Sequence, residues 1–520
     1  MKRKLIKFSK IIALTIIGLA LPLFGGLYWP ISDLEPPVKH ETILIKSITI
    51  IDVVSGKLIK NQDIKIKNNR IIEIGLSDSV NNLDDSFIID GHGKFILPGL
   101  WDMHTHSTKQ SEWLHHPLYI ANGVTGVRDM SGQLNQEDSY WAGSTIRLKW
   151  NQELNNNKRI TPRYVLQSSY QINGESSVPS NFPNFFKLQN EKDVPQLLSF
   201  YKNKNVDFIK VYYEIPPHSY RKLALEAPNY GIHLAGHKPM YVSLEEAITL
   251  GQRSFEHGRI FMFECSPLSD KLRTSQNYAE IFSKSKKSII KDFDTTKSKQ
   301  LMSLMRQYNT HWTPTLQTLK SDVNANNVEF LNNQNLKYIP YLKRKIWWGP
   351  SIKNSAETNL SQEGKGVNLD FYKEVQKQVQ MAKKIGVPIM AGTDVTDAYV
   401  FPGFSLHTEL KDLTECGLTN LEAIQTATIV PAKYAGLQRD HGTIEIGKIA
   451  DMVILEANPL ANIENTSKIN SVIINGIYYD RNKIEELKSV TASNASSFHM
   501  NVKEAFSLLS SPLIRIQLAD

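Results

Sequence analysis

Short apolar runs separated by turn residues occupy two distant parts of the chain. In residues 42–96, runs of Ile, Val, Leu and Phe alternate with turns that contain Gly, Asn or Asp. The same pattern returns in residues 441–482. Strands of this length and spacing are typical of a small antiparallel unit. We therefore predict a small composite β-sandwich domain that is built from both ends of the chain.

Residues 97–440 show a different pattern, in which apolar strand-like runs alternate with helical stretches. This alternation predicts an α/β fold, namely a (β/α)8 TIM-like barrel. Two long polar segments, 265–307 and 321–370, are expected to carry helices near the mouth of the barrel. The eight strand candidates are Phe95–His106, Gly123–Asp129, Arg163–Gln167, Val206–Tyr212, Gly231–His237, Arg253–His257, Thr310–Leu316 and Val387–Asp394.

The N-terminal segment is typical of a targeting signal, whereas the C-terminal segment is not. In residues 1–35, a basic flank precedes an uncharged, largely apolar stretch, as in secretory signals and membrane anchors. The stretch is long enough for a span of ~20 residues, so we predict an exported protein with an outward-facing, uncleaved N-terminal helix as its membrane anchor. Cleavage would instead give a periplasmic or extracellular protein. Residues 485–520 form a Ser-rich tail without a functional signal.

Composition and charge narrow the possible functions. The chain has 520 residues, of which 41% are hydrophobic and 22% charged, as in ordinary globular proteins. Its net charge is +8, but the lysines are scattered and form no basic stripe, which argues against a nucleic-acid partner. The two distant cysteines, Cys265 and Cys416, give neither a disulfide framework nor a Cys-based zinc site. An oligomer is compatible with this composition.

The first sign of chemistry is a pair of histidines, His104 and His106, at the end of an apolar strand. Residues i and i+2 of a strand point to the same face, so the two imidazoles project together. A parallel barrel keeps its active site at the carboxyl ends of its strands. Two converging imidazoles suit a divalent metal such as zinc.

Four further candidate ligands lie near the ends of later strands. Lys210 ends one of them, and beside a dinuclear metal site a neutral lysine can add carbon dioxide and bridge two metals as a carboxylate would. His237 shares a strand face with His233, and we choose His237 because it lies nearer the carboxyl end. His257 and Asp394 close the other two strands, and Asp394 could also accept a proton during catalysis.

The order His-x-His, Lys, His, His, Asp over eight strands resembles the amidohydrolase superfamily. Longer motifs are similar to its group of imidazolonepropionases and Xaa-Pro dipeptidases, and the resemblance covers roughly residues 42–479. These motifs are Leu97–His106, Gly123–Asp129, Ala235–Pro239, Phe255–Gly258, Ala391–Asp394 and Gly447–Val453.

The resemblance implies two divalent metal ions, with Zn2+ expected, and hydrolysis of an amide bond, either a non-peptide C–N bond or a dipeptide-like one, in a small substrate. A metal-activated hydroxide would attack the carbonyl carbon, and Asp394 would move the proton to the leaving amine. The implied ligands are His104, His106 and Asp394 for one ion, His237 and His257 for the other, and Lys210 as a bridging N6-carboxylysine.

Substrate recognition is predicted from side chains beside the strand ends. Tyr212, Tyr213, Arg128 and His311 are candidates for binding a substrate carboxylate or carbonyl. Three alternatives stay open: an ester or lactone hydrolase on the same dinuclear site, a mononuclear deaminase, and an inactive binding scaffold. The complete ligand set argues against the scaffold, and Lys210 argues against the deaminase.

Overall fold

Strands from both ends of the chain form one mixed sheet in the computed structural model, which describes residues 22–80, 85–134, 136–175, 178–361 and 364–517. The strands are β1 (Thr42–Ile51), β2 (Leu58–Lys67), β3 (Arg70–Leu76), β4 (Phe87–Asp90), β5 (Phe95–Pro98), β13 (Met452–Leu455), β14 (Ile469–Ile474) and β15 (Ile477–Tyr479). Their order is β15-β14-β13-β5-β1-β2-β3, with β4 paired to β1. The antiparallel pairing of β5 with β13 therefore joins the two ends of the chain.

Alternating isoleucines build the core of this sheet. Ile43 lies opposite Ile66 and Ile45 opposite Ile64, and all four are buried. Register shifts after Ile45 divide β1, so that its first half pairs with β4 and its second half with β5. The strands are thus joined by hydrogen bonds into one sheet, and the predicted sandwich stays a prediction.

Seven further strands form two parallel sheets between these ends. The sheets have the orders β6-β7-β8 and β12-β11-β10-β9. Isolated parallel bridges from Ser168 to Phe208, from Trp312 to Ile389 and from Thr105 to Val395 connect their edges. The architecture is α/β, as expected, but these pairings do not show a closed barrel. The strands are β6 (Leu100–Thr105), β7 (Val124–Asp129), β8 (Arg163–Leu166), β9 (Phe208–Val211), β10 (His233–Gly236), β11 (Ser254–Glu256) and β12 (His311–Thr313).

Helices connect the parallel strands and fill both long polar segments. They are α1 (containing residues 22–28), α2 (Ser111–Leu114), α3 (His116–Ala121), α4 (Ser144–Asn155), α5 (Val194–Asn203), α6 (Pro217–Glu226), α7 (Leu244–Thr249), α8 (Ile260–Glu264), α9 (Ser269–Thr274), α10 (Tyr278–Lys291), α11 (Thr295–Gln307), α12 (Leu316–Val323), α13 (Val328–Leu331), α14 (Tyr341–Lys343), α15 (Gly349–Leu360), α16 (Val367–Ile385), α17 (Phe404–Glu415), α18 (Asn420–Thr426), α19 (Ile429–Tyr434), α20 (Arg481–Ser496), α21 (Phe498–Ser510) and α22 (Pro512–Gln517). A π-helix, Arg344–Trp348, joins α14 to α15, and short 3-10 helices cover Asn184–Lys187, Glu191–Asp193, Ala227–Tyr230, Gln334–Tyr338 and Ile463–Ser467.

Local sequence signals account for several of these helix starts. The Ser243 side chain accepts a hydrogen bond from the backbone N–H of Glu246 and so caps α7. Thr419 and Glu422 form a reciprocal capping box at the start of α18. Such caps satisfy backbone N–H groups that the first helical turn leaves without partners. They fix where the helices begin, and therefore where the loops at the strand ends run.

The predicted membrane anchor requires a correction. Within the ranges that the structure describes, no helix combines the length and apolarity that a membrane span requires. This finding contradicts the N-terminal anchor and the outward-facing location inferred from it. Residues 1–21 of the predicted segment lie outside the described residues.

Candidate metal and catalytic site

Three candidate ligands converge at the ends of the parallel strands. His104, His257 and Asp394 are buried, and one ligand atom from each lies within 4.8 Å of the others. The Asp394 carboxylate is the centre of this group. Its Oδ1 lies 3.2 Å from His104 Nε2 and 2.9 Å from His106 Nε2, and its Oδ2 lies 3.4 Å from His257 Nδ1. The structure therefore brings both strand-end histidines of β6 to the same carboxylate.

Unusual backbone geometry aims two of these ligands. His257 has φ 72° and Asp394 has φ 65°, in the left-handed region that residues other than Gly seldom adopt. Such conformations persist where the surrounding structure determines them, often at functional sites. Gly392 permits the close approach of this segment to β6, because a Cβ there would lie 2.9 Å from the His104 backbone nitrogen and 2.5 Å from Thr313 Cγ2.

A buried hydrogen-bond chain orients His104. Its Nδ1 donates to Glu256 Oε2 over 3.2 Å, which leaves Nε2 turned toward Asp394. Arg128 donates to the same Glu256 oxygen over 2.7 Å. Burial opposes ionisation of Glu256, but Arg128 and His104 outweigh it and lower its pKa to about 2. Carboxylate partners of this kind set the orientation of histidine ligands at metal sites.

The second group of candidate ligands lies on the neighbouring strands. His237 packs between two rings, with centroids 4.3 Å from Tyr213 and 4.7 Å from His257. Lys210 is buried on β9, and burial lowers its pKa to about 8, although nearby carboxylates, Asp394 foremost, oppose the shift. The structure thus places Lys210 and His237 beside the first group.

Two of the candidate ligand atoms have the properties expected of metal ligands. In the described part of the chain, His104 Nε2 and His237 Nδ1 are buried without a hydrogen-bond partner. The 3.2 Å approach of His104 Nε2 to Asp394 lacks hydrogen-bond geometry. A buried polar atom without a partner costs ~1–3 kcal/mol, and ligation of a metal ion would remove that cost. Imidazole and carboxylate together suit zinc and other first-row divalent ions.

Burial and neighbouring charges together set the charge states of Asp394 and His106. Burial would raise the pKa of Asp394, but His104 and His257 outweigh it and hold this pKa well below its usual value. Asp394 is therefore a carboxylate at neutral pH. Burial, followed by the positive charge of Lys210, lowers the pKa of His106 to about 4, so this imidazole is neutral and able to act as a ligand.

A cavity of about 510 Å3 opens beside the cluster. It is lined by five of the six predicted ligands, His104 being the exception, and by Tyr212 and Tyr213. The sequence analysis missed several other lining residues, among them Arg259, Asp397, Trp141 and Trp347. Arg259 follows the ligand candidate His257 by two positions, which is the one sequence signal that could have found it.

Asp397 is a further carboxylate of the cavity. Its side chain is exposed to solvent through the cavity, and protein atoms surround it on the other sides. Burial and then the negative charge of Asp394 raise its pKa well above the usual value. Because like charges in one site disfavour each other, Asp394 is the one of the two that ionises first.

Arg128 and His311 do not line this cavity, in contrast to their predicted role in substrate binding. The fully buried Arg128 donates to the Met103 carbonyl, Ser254, Tyr434, Thr313 and Glu256, so it braces the strands below the site. His311 is the first residue of β12 and so lies at the amino end of the strand, where it contacts the Asn309 carbonyl and the Tyr434 ring. The cause is the side-chain direction for Arg128 and the position at the amino end of the strand for His311.

Comparison with known proteins agrees with the motifs. Residues 229–477 match the model of the amidohydrolase family. A 5-methylthioadenosine/S-adenosylhomocysteine deaminase from Carboxydothermus hydrogenoformans is 32% identical over 115 residues, which cover 20% of this chain and 24% of the relative. The matches to curated relatives span a quarter or less of the length of those proteins.

Solved structures extend the similarity over most of the fold. A bottromycin amidohydrolase superposes with a TM-score of 0.69 at 18% identity, covering 91% of this chain and 94% of that one. A Xaa-Pro dipeptidase gives 0.58 at 18% identity, covering 84% and 100%. Residues 229–477 therefore match the amidohydrolase family, and the solved structures share a TIM-barrel-like α/β fold with most of this chain.

Proposed function

We propose that this protein is a metal-dependent amidohydrolase that cleaves a C–N bond of a small substrate. The observation that carries this proposal is the buried cluster of His104, His257 and Asp394 beside a polar cavity. The match to the amidohydrolase family supports it, as do the activities of the similar proteins, which include deaminases, a deacetylase and a dipeptidase.

The finer proposal is a site for two ions, with Zn2+ as the first candidate. His104, His106 and Asp394 would hold one ion, and His237 and His257 the other. Lys210 would bridge them as N6-carboxylysine. Support comes from the lowered pKa of Lys210, about 8, because carbon dioxide adds only to the neutral amine.

Each side chain then has a task in hydrolysis. When bound, the ions would polarise the substrate carbonyl and lower the pKa of a water molecule beside it. Asp394, ionised and buried, accepts the proton of the attacking water and returns it to the leaving nitrogen. Tyr212 and Tyr213 stand beside His237 and orient the carbonyl. Trp141, with its ring 5.9 Å from that of His106, restricts access of bulk water.

Two alternative functions use parts of the same site. The same site could hydrolyse an ester or a lactone, since neither the metal ligands nor Asp394 distinguish an oxygen from a nitrogen leaving group. A one-metal deaminase is favoured by the deaminase relatives, whereas Lys210 beside the cavity favours the dinuclear amidohydrolase.

The experiment is a substrate panel on the zinc-loaded full-length chain. It comprises N-acetylated amino acids, dipeptides, simple esters and lactones, and adenosine. We expect wild type to hydrolyse amides and Lys210→Ala to lose this activity. The matched control, Lys222→Ala on the exposed face of α6, should keep the activity. Release of ammonia from adenosine, unaffected by Lys210→Ala, would contradict the proposal in favour of the deaminase.

We also propose the architecture that the sequence predicted. It consists of a closed eight-stranded barrel in residues 97–440 and a separate domain formed by residues 42–96 and 441–482. The bridges from Ile389 to Trp312 and from Val395 to Thr105 support the eighth strand position. The shared sheet of β1–β5 and β13–β15 supports the composite domain.

A further inference from the structure

A second pocket opens from the catalytic cavity on the side of the long polar segments. Its volume is about 270 Å3, and Tyr213, Arg259, Tyr278 and Ala279 line both spaces. The two spaces are therefore neighbours that share a wall. We call the second one the side pocket.

Aromatic rings form most of the inner wall of the side pocket. Phe263 and Phe282 have ring centroids 4.5 Å apart, and Phe282 meets Phe371 edge-on at 5.9 Å. All three are buried, and α8, α10 and α16 contribute one each. Rings that present edges and faces in this way favour another aromatic ring as their neighbour.

Tyr213 connects this wall to the catalytic groups. Its ring stacks on the proposed ligand His237 at 4.3 Å, and the Phe263 ring lies 6.0 Å away on the side pocket. A group in the side pocket is therefore separated from the proposed metal ligand by the thickness of one tyrosine ring. A substituent next to the scissile bond can therefore reach the side pocket.

Arg259 supplies a cation where the two spaces meet. Arg259 lines both spaces, and an arginine side chain keeps its positive charge in proteins. Within the described ranges, Arg259 forms no ion pair with a carboxylate of the chain. A guanidinium is well suited to bind a carboxylate through two parallel hydrogen bonds.

We propose that the side pocket binds the aromatic side chain of the substrate while Arg259 binds the adjacent carboxylate. The preferred substrates would be amides of an aromatic amino acid, cleaved to release that amino acid. This inference rests on the proposed amidohydrolase function. The aromatic group would lie on the nitrogen side of the scissile amide bond, because the carboxylate and the ring belong to the same released amino acid.

Size and polarity agree with an aromatic amino acid. The volume of about 270 Å3 exceeds that of a cavity of ~150 Å3 that binds benzene, so a phenol or an indole has room. At the rim, Lys286 lies over the Phe371 ring at 5.6 Å and Asp322 balances its charge. The pocket thus combines an apolar interior with a polar mouth, as ligand sites commonly do.

The test fills the pocket from its exposed edge. Ser283 lines the side pocket but not the catalytic cavity, so Ser283→Trp places an indole in the proposed ring site. Ser288→Trp, on the exposed part of the same helix, is the matched control. Zinc-loaded wild type and both variants are assayed on N-acetyl-L-phenylalanine and N-acetyl-L-alanine, and on the dipeptides Ala-Phe and Ala-Ala.

We expect wild type and Ser288→Trp to prefer the phenylalanine compounds by ~10- to 100-fold in kcat/KM, and Ser283→Trp to lose that preference. Equal hydrolysis of both members of each pair by wild type would overturn the inference and leave the amidohydrolase function standing. If no compound is hydrolysed, the proposed function fails, and calorimetric binding of L-phenylalanine decides the pocket. Binding that Ser283→Trp abolishes supports the inference, and no binding to wild type overturns it.

Discussion

Replacement of Glu256 by Gln tests whether the buried chain behind His104 positions a metal ligand. Glu256 Oε2 accepts hydrogen bonds from Arg128 and His104, and its Oε1 accepts one from Ser254 over 2.6 Å. Glu256→Gln keeps the shape but removes the charge, so Arg128 is left as a buried cation without its carboxylate. Loss of one partner of a buried ion pair lowers the free energy of unfolding by about 3–5 kcal/mol.

The same substitution should weaken metal binding. A glutamine oxygen can still accept from His104, but it no longer favours the imidazole orientation as strongly as a carboxylate does. Loss of such a partner typically reduces metal affinity by about 10- to 100-fold. Urea unfolding of the metal-free protein measures the first effect, and competition with a chromophoric zinc chelator measures the second.

Glu264 provides the matched control. It is equally buried and pairs with Lys238 and Arg273 at 2.7 and 2.8 Å. Lys238 follows His237 in the chain, but within the described residues Glu264 forms no hydrogen bond or ion pair with a proposed metal ligand. Glu264→Gln should destabilise the protein without changing zinc affinity. If the two variants lose stability alike and neither loses zinc affinity, Glu256 has no role in positioning His104. If Glu256→Gln leaves both quantities unchanged, the reasoning about this buried chain is wrong.

Three further predictions follow from single features. The folded protein lowers the pKa of Glu256 to about 2, so the ionised carboxylate stabilises the fold above its unfolded pKa of ~4.3. This stability is lost as the pH falls toward 2, and urea unfolding in acid should therefore show a steeper decline for wild type than for Glu256→Gln. A steeper decline for Glu256→Gln would contradict this prediction. Gly392→Ala should reduce zinc affinity, since its Cβ would collide with the His104 backbone, and unchanged binding by calorimetry would argue against the close approach. Glu504→Gln should speed hydrogen exchange in residues 341–348, because Lys343 and Tyr140 both contact the buried Glu504 carboxylate; exchange equal to wild type would show that this contact does not hold the segment.

The convergence of the candidate side chains could be predicted from sequence because their geometry is local. His104 and His106 share a strand face through their spacing, and Lys210 and His257 end or follow apolar runs. Parallel strands bring their carboxyl ends together whatever the connections are, so neighbours in space follow from positions in sequence. The α/β character of the middle segment was predictable for the same reason.

The surroundings of the site depend on contacts that strand periodicity does not encode. Arg128 was predicted to bind substrate, but its side chain turns under the strands, where Glu256, the Met103 carbonyl and three side-chain hydroxyls satisfy its donors. Arg259 was missed because it lies in the loop between β11 and α8, where strand periodicity does not predict the direction of a side chain. The pairing of β1 with three strands depends on its irregular register, which the spacing of apolar residues does not encode.

The most direct measurement is anomalous X-ray diffraction at the zinc edge from crystals of the zinc-loaded protein. We predict two peaks per chain, one among His104, His106 and Asp394 and one beside His237 and His257, with density joining them at Lys210. Absence of any anomalous peak in the cavity at saturating zinc would contradict the proposed metal-dependent hydrolase.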